Sequence, residues 1–170
     1  MKSKAKLLAI IGSHRKNANS YLLTKNVLDS TKMDYEIIQL AEKRIDFCDL
    51  CEKCIDEDCV LTDDFNQIFE KMKRADGIIL ALPKYLFFSS RFLSFLERLA
   101  TIEHMRKFMG YVGALKNPDY KLFQRNKPFC IFFVSGTGRI GGQILSEVVD
   151  DLKGLGFKLV RHSSPPNLEQ

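Results

Sequence analysis

The 170-residue chain contains no apolar run approaching the ~20 residues that a bilayer-spanning helix needs, so no membrane span is expected. It has no internal repeat and no low-complexity segment, which sets aside solenoid and linker-like architectures. Histidine is scarce, at three residues, and no motif gives His14 or His104 more than a weak claim to acid–base chemistry. No charge block or recognition motif accompanies the scattered basic residues, so no nucleic-acid partner is expected. Met1–Lys6 carries three lysines, but the apolar stretch Leu7–Ile11 after it is too short for a signal-peptide core, and the cytoplasm is the expected compartment.

What remains is an ordinary globular composition, 45% apolar and 28% charged, long enough for one domain over residues 1–170. A domain of this size buries a sizeable core without disulfides, so its five cysteines call for another explanation. The net charge of +5 is unevenly spread. Residues 46–64 hold Asp46, Asp49, Glu52, Asp56, Glu57, Asp58, Asp63 and Asp64 against Lys53 alone. Taking these from the totals of 21 acids and 26 bases leaves 13 against 25, a body of formal charge +12. Such a surface attracts acidic partners or phosphorylated cofactors.

Lys6–Ile11 is a short apolar run stopped by Gly12, the pattern of a strand buried on both faces. Further strands are expected at Tyr35–Leu40, at Gly77–Leu82 (ended by Pro83), at Phe129–Val134 and at Phe157–Val160. Helical periodicity marks Asn19–Leu28, residues 63–73, Phe87–Leu99 and Gln143–Leu152, with Thr62-Asp63-Asp64 read as a cap followed by first-turn acids. The alternation implies a doubly wound five-stranded parallel sheet of order 2-1-3-4-5 with helices on both faces. Residues 101–127 fit poorly and read as an irregular connection. In such sheets ligands bind beyond the strands' carboxyl ends, where strand order reverses, so the loops Gly12–Ser20, Pro83–Phe88 and Ser135–Gly142 should meet.

The first loop offers hydroxyls at Ser13 and Ser20, amides at Asn17 and Asn19 and a cation at Arg15, next to the N–H groups of a helix start. These suit a terminal phosphate, although a polar turn with an N-cap would use the same residues. No Gly-Lys-Ser/Thr closes the loop, so it is not a Walker site. Gly136-Thr137-Gly138-Arg139-Ile140-Gly141 matches the dinucleotide fingerprint, but Arg161-His162 stands where an acidic residue is required.

The string GSHRKNANSYLL resembles the phosphate loop of the flavodoxin-like NADPH-dependent FMN reductase superfamily, Gly-Ser-x-Arg-x-x-x-Asn-Ser/Thr, and it falls directly after the first strand. The resemblance implies a flavodoxin-like fold and a hold on the FMN phosphate by Ser13, Arg15, Asn19 and Ser20, with Asn17 as a further donor in the loop. A Pro-x-Tyr segment is repeated at Pro83-Lys84-Tyr85, and Glu97-Arg98-Leu99 stands where the family's third helix ends. By the same resemblance Pro83, Tyr85, Leu86 and Phe87 line the isoalloxazine ring, whereas Phe92 and Phe95 read as core. Ser135, Gly136, Thr137, Gly138 and Gly141 then bring backbone close to the flavin.

Cys48, Cys51, Cys54 and Cys59 follow C-x2-C-x2-C-x4-C within a loop at 46–61. An iron–sulfur cluster, zinc and a thiol redox pair are all open, because a cytosolic chain disfavours structural disulfides. Zinc sites commonly use two separated pairs, whereas three cysteines at intervals of three wrap a larger object. Cys130, in the fourth strand, reads as an inert buried thiol. The cysteine loop, followed by Asp63-Asp64, resembles that of the iron–sulfur flavoproteins, a branch of the same superfamily whose motif ligates a [4Fe–4S] cluster. Carboxylates around such a cluster should lower its potential. The resemblance implies an FMN oxidoreductase that passes electrons between NAD(P)H or a ferredoxin-like donor, FMN and the cluster, and that assembles as a homo-oligomer, dimer or tetramer. Two other readings stay open: a plain FMN reductase with a zinc or free-thiol loop, and a redox-sensing binding module.

Overall fold

A computed structural model describes residues 5–84, 88–108, 117, 119–123, 126–135 and 142–163, with backbone only at 142–145 and 161–163. Its strands are β1 (Lys6–Ile11), β2 (Asp34–Gln39), β3 (Gly77–Lys84), β4 (Lys127–Ser135) and β5 (Phe157–Ser163). Its α-helices are α1 (Asn19–Asp29), α2 (Phe65–Arg74), α3 (Ser90–Lys107) and α4 (Gly142–Gly154). The strands form one parallel sheet of order β2-β1-β3-β4-β5, the flavodoxin-like arrangement expected from the alternation of elements.

Period-2 alternation in the strands sorts side chains to two faces. Leu8, Ile10, Ile78, Leu80, Leu82, Phe129, Ile131 and Phe133 face the larger core, filled by Phe65, Ile68, Phe69 and Met72 of α2, Phe92, Phe95 and Leu99 of α3, and Val148, Val149 and Leu152 of α4. Ala9 and Ile79 face the other side, where Leu28 of α1 covers them. Cys130 lies on this thinner side beside Phe132 and is half-buried, not sealed as expected, because the cover there is slighter.

Three expectations about element ends are corrected. Pro83 does not end β3, which continues through Lys84 and pairs Pro83 with Val134. The carbonyl of Ala81 faces β1 and accepts from Gly12 N at 2.9 Å; β1 ends there, so proline's missing N–H two residues on leaves no ladder bond unmade. Asp63 and Asp64 precede α2 instead of filling its first turn. Residues 101–127 open with two further turns of α3, in which Ile102 and Met105 continue the buried stripe of Phe95 and Leu99. No described helix is long and apolar enough to cross a membrane.

Candidate cofactor site and cysteine loop

The chain leaves β1 at Gly12, next to the carboxyl end of β3. The Gly12 carbonyl accepts a hydrogen bond from the buried hydroxyl of Ser89, which itself accepts from Phe92 N at 3.2 Å and so caps α3. A Cβ at Gly12 would lie 2.9 Å from Leu82 Cδ2 and 3.3 Å from Phe92 Cβ, so a larger residue there would make Leu82 and the start of α3 give way. Ser13 is buried, and its hydroxyl accepts from Arg15 N at 3.0 Å.

The middle of the loop is tied to the end of β2. Asn17, left-handed at φ 51°, donates its N–H to Gln39 Oε1 at 2.8 Å and accepts from Gln39 Nε2 at 3.3 Å. Lys16 pairs with Glu42. Arg15 and Asn19 stay exposed.

The start of α1 is where the polar groups are left over. Its N-cap is Ala18, which has no side chain to close the first turn. Ser20, one residue into the helix, is 1% exposed, and its hydroxyl has no hydrogen-bond partner among the described residues. A buried hydroxyl in that condition costs about 1–3 kcal/mol. Unfilled helical N–H groups and an orphaned hydroxyl together form a seat for an anion, which meets the requirement of a phosphate-bearing cofactor.

The other two loops are placed in part. Pro83 is buried near the end of β3, and Ser135 closes β4 opposite Lys84. Tyr85, Leu86, Phe87, Gly136, Thr137, Gly138 and Gly141 lie outside the described residues. Phe88 packs on Phe92 and Phe133, with ring centroids 5.8 and 5.7 Å away, and Phe92 and Phe95 are core, as expected.

Between β2 and α2 the chain makes only two 3-10 turns, Leu40–Glu42 and Lys53–Ile55, and α3 holds this segment with a row of arginines. Arg91, Arg98 and Arg106 are seven and eight residues apart, a spacing that keeps them on one helix face. Arg91 donates to the carbonyl of Lys43, and Arg106 to those of Cys54 at 3.1 Å and Glu57 at 3.0 Å. Arg98 is 1% exposed. It pairs with Asp63, whose side chain is fully buried, donates to Cys59 Sγ at 3.1 Å and lies 4.0 Å from the Phe65 ring centroid. Burial opposes its charge, but the bonds to Asp63 and Cys59 outweigh that and hold the guanidinium above its ordinary value. Asp63 also accepts from Asp46 N at 2.8 Å and Phe65 N at 3.1 Å, while Asp64 accepts from Arg44 N at 2.8 Å, so the Asp-Asp pair staples the two ends of the loop together.

The four cysteines are graded in burial: Cys54 buried, Cys48 and Cys59 half-buried, Cys51 exposed. Left-handed residues at Leu50 (φ 53°) and Glu52 (φ 59°) turn the backbone between successive cysteines. Burial pushes the Cys54 thiol up, and the charges that Cys48, Cys59 and Cys51 can carry each push it further. Among the described residues no three His, Cys, Asp or Glu side chains stand close enough to hold a metal ion as placed. The donor set nevertheless fits a thiolate-ligated centre in kind and number.

Reading single residues did not reveal the arginine row. Its signal was the regular spacing of three arginines along an apolar helix, visible only once α3 is carried past Leu99.

A parallel 2-1-3-4-5 sheet with an anion seat at the first crossover defines a flavodoxin-like α/β protein. Residues 5–165 match the NADPH-dependent FMN reductase family, and the chain belongs to that family. It is 39% identical over 84 residues to an iron-sulfur flavoprotein of Methanocaldococcus jannaschii, a stretch covering 47% of this chain and 44% of that protein. It is 35% identical over 85 residues to an iron-sulfur flavoprotein of Methanosarcina thermophila, covering 48% and 44%. The matched stretch thus spans less than half the length of these archaeal relatives. Among solved structures, an NAD(P)H:quinone oxidoreductase from Methanothermobacter marburgensis superposes with a TM-score of 0.64 at 14% identity, covering 97% of this chain and 88% of the other, a likeness of fold.

Proposed function

We propose that this protein is an FMN-dependent oxidoreductase of the iron–sulfur flavoprotein kind, formed by one domain over residues 1–170. The observation that carries the flavin half is the partnerless, buried Ser20 hydroxyl at the uncapped start of α1. In this reading Ser13, Asn19, Ser20 and the first N–H groups of α1 hold the FMN phosphate, with Arg15 closing over it from solvent and Asn17 shaping the loop against Gln39. Pro83, Tyr85, Leu86 and Phe87 flank the ring, and Ser135, Gly136, Thr137, Gly138 and Gly141 lend backbone to its edge. Cys48, Cys51, Cys54 and Cys59 ligate a [4Fe–4S] cluster. When bound, FMN supplies one- and two-electron chemistry and the cluster supplies one-electron chemistry.

The chain's own residues position and insulate. Ser89 fixes the entrance of the phosphate loop, and Arg91, Arg98 and Arg106 fix the cysteine loop. The donor in this reading is NAD(P)H or a ferredoxin-like protein, the compartment is the cytoplasm, and the assembly is a dimer or tetramer of this chain. Exposed Phe47, Leu50 and Leu93 beside an acidic loop, on a chain whose body is otherwise basic, support that assembly.

The test is an absorption spectrum of anaerobically purified protein, with iron and zinc counted on the same sample. Flavin bands with a broad shoulder in the blue and about four irons per chain are expected. Flavin without iron would favour the second reading, an FMN reductase with a zinc or free-thiol loop. Protein that binds no flavin would refute the proposal.

A further inference from the structure

The acidic flank of the cysteine loop points to a lowered cluster potential, but a fully buried cation stands against it. Arg98 comes from α3, 39 residues away in sequence, and its guanidinium reaches Cys59 Sγ at 3.1 Å. Asp63 binds its Nη1, the carbonyl of Asp46 lies 3.4 Å from the same nitrogen, and the Phe65 ring centroid lies 4.0 Å from Cζ, while Nε is buried without a hydrogen-bond partner among the described residues. Cys59 is fixed as well, because its carbonyl accepts from Asn66 Nδ2 at 2.6 Å. Three other acids of the segment, Asp46, Asp58 and Asp64, also face an arginine or lysine, but only in the Asp63–Arg98 pair are both side chains fully buried, where water does not screen them.

We infer that Arg98 is a positioning residue for Cys59 and, with Asp63, a buried charge pair that sets the reduction potential of the centre those cysteines hold. The inference rests on the cluster reading above. Hydrogen bonds to ligand sulfur and net charge are among the levers by which a protein sets such a potential. The N–H···S bond and the cation favour the more negative, reduced state. Asp63 opposes them by one charge while orienting the guanidinium. Removing either partner therefore moves the potential in opposite directions, which a merely structural role does not predict.

The experiment is a reductive titration of the purified holoprotein with dithionite and mediators, read by electron paramagnetic resonance, on wild type, Arg98→Met, Arg98→Lys and Asp63→Asn, with iron counted in each. Arg98→Met is expected to fall by at least a tenfold change in the one-electron equilibrium, about 59 mV. Asp63→Asn is expected to rise, and Arg98→Lys, which keeps the charge but not the fork that spans carboxylate and sulfur, to lie between wild type and Arg98→Met. If Arg98→Met does not fold, the opposed shifts of Arg98→Lys and Asp63→Asn carry the test. Iron-loaded variants whose potentials are unchanged, or all move the same way, overturn this inference and leave the cluster reading intact. A wild type that takes up no iron overturns both.

Discussion

Replacing Ser20 with alanine should stabilise the cofactor-free protein and weaken its hold on FMN, two effects of opposite sign from one oxygen atom. The hydroxyl is buried at 1% exposure with no partner among the described residues, while the backbone carbonyl of Ser20 is already used by Thr24 Oγ1 at 2.8 Å. Removing an unpaired buried hydroxyl recovers up to about 1–3 kcal/mol, and alanine adds helix propensity. In a chain of this size each kcal/mol raises the melting temperature by about 2–4 °C. The same oxygen is placed to donate to a phosphate, and a hydrogen bond to a charged group contributes about 1.5–3 kcal/mol, so FMN affinity should fall roughly 10- to 150-fold. Arg15 offers a contrast: exposed and clear of the core, Arg15→Ala should weaken FMN with little change in apoprotein melting. Calorimetric titration of apoprotein with FMN, beside thermal melts of the same samples, reads both quantities. A Ser20→Ala protein that melts lower and binds FMN as wild type would refute the phosphate seat.

Two further outcomes are expected. Cys51 is the exposed member of the cysteine set, so Cys51→Ser should abolish the iron-dependent absorbance while leaving flavin content and melting temperature near wild type; loss of flavin in that variant would contradict two separable sites. Glu36 bridges β1 and α2 through Lys6 at 3.4 Å and Lys71 at 2.6 Å, and the Lys71 hydrogen bond, against some burial, holds its carboxyl below the ordinary value of 4.5. A depressed carboxylate stabilises the fold fully above its ordinary value and loses that stabilisation as pH falls through its folded value. Glu36→Gln should therefore cost under about 1 kcal/mol at neutral pH, and the gap in melting temperature from wild type should narrow as pH falls below the ordinary value of 4.5 and through the lowered folded one; a gap independent of pH would sink the assignment.

The strand order was legible in the sequence because buried parallel strands are short apolar runs bounded by glycine and turn residues, and β1 is delimited to the residue. The end of α3 was not. Thr101, Glu103, His104 and Arg106 interrupt the apolar run, and the buried Ile102 and Met105 between them continue a helical stripe that an average over polarity conceals. The Asp-Asp pair shows a second limit. Spacing alone made Asp63 and Asp64 first-turn acids, whereas Asp63 is drawn under α3 by an arginine 35 residues on, a partner no local pattern specifies. The first loop shows a third. Asn17 read there as a further donor beside Ser13, Arg15, Asn19 and Ser20, but Gln39 engages it, and only the fold separates anchoring residues from unspent ones.

Both candidate sites are referred to one helix. Ser89, at the N-cap of α3, grips the first loop through the Gly12 carbonyl, and Arg98, nine residues on, grips Cys59. At a rise of 1.5 Å per residue, those two anchors lie about 14 Å apart along the axis. A helix with Phe92, Phe95, Leu99, Ile102 and Met105 sealed in the core does not bend easily between them. The separation of the two loops is therefore set by the length of a packed helix and not by the loops themselves. That arrangement explains why an irregular, highly charged segment with two left-handed residues keeps a defined place: its backbone carbonyls at Lys43, Cys54 and Glu57 and its sulfur at Cys59 are read off α3 at two-turn intervals. Removing one arginine should loosen one segment of the loop while the others keep their register.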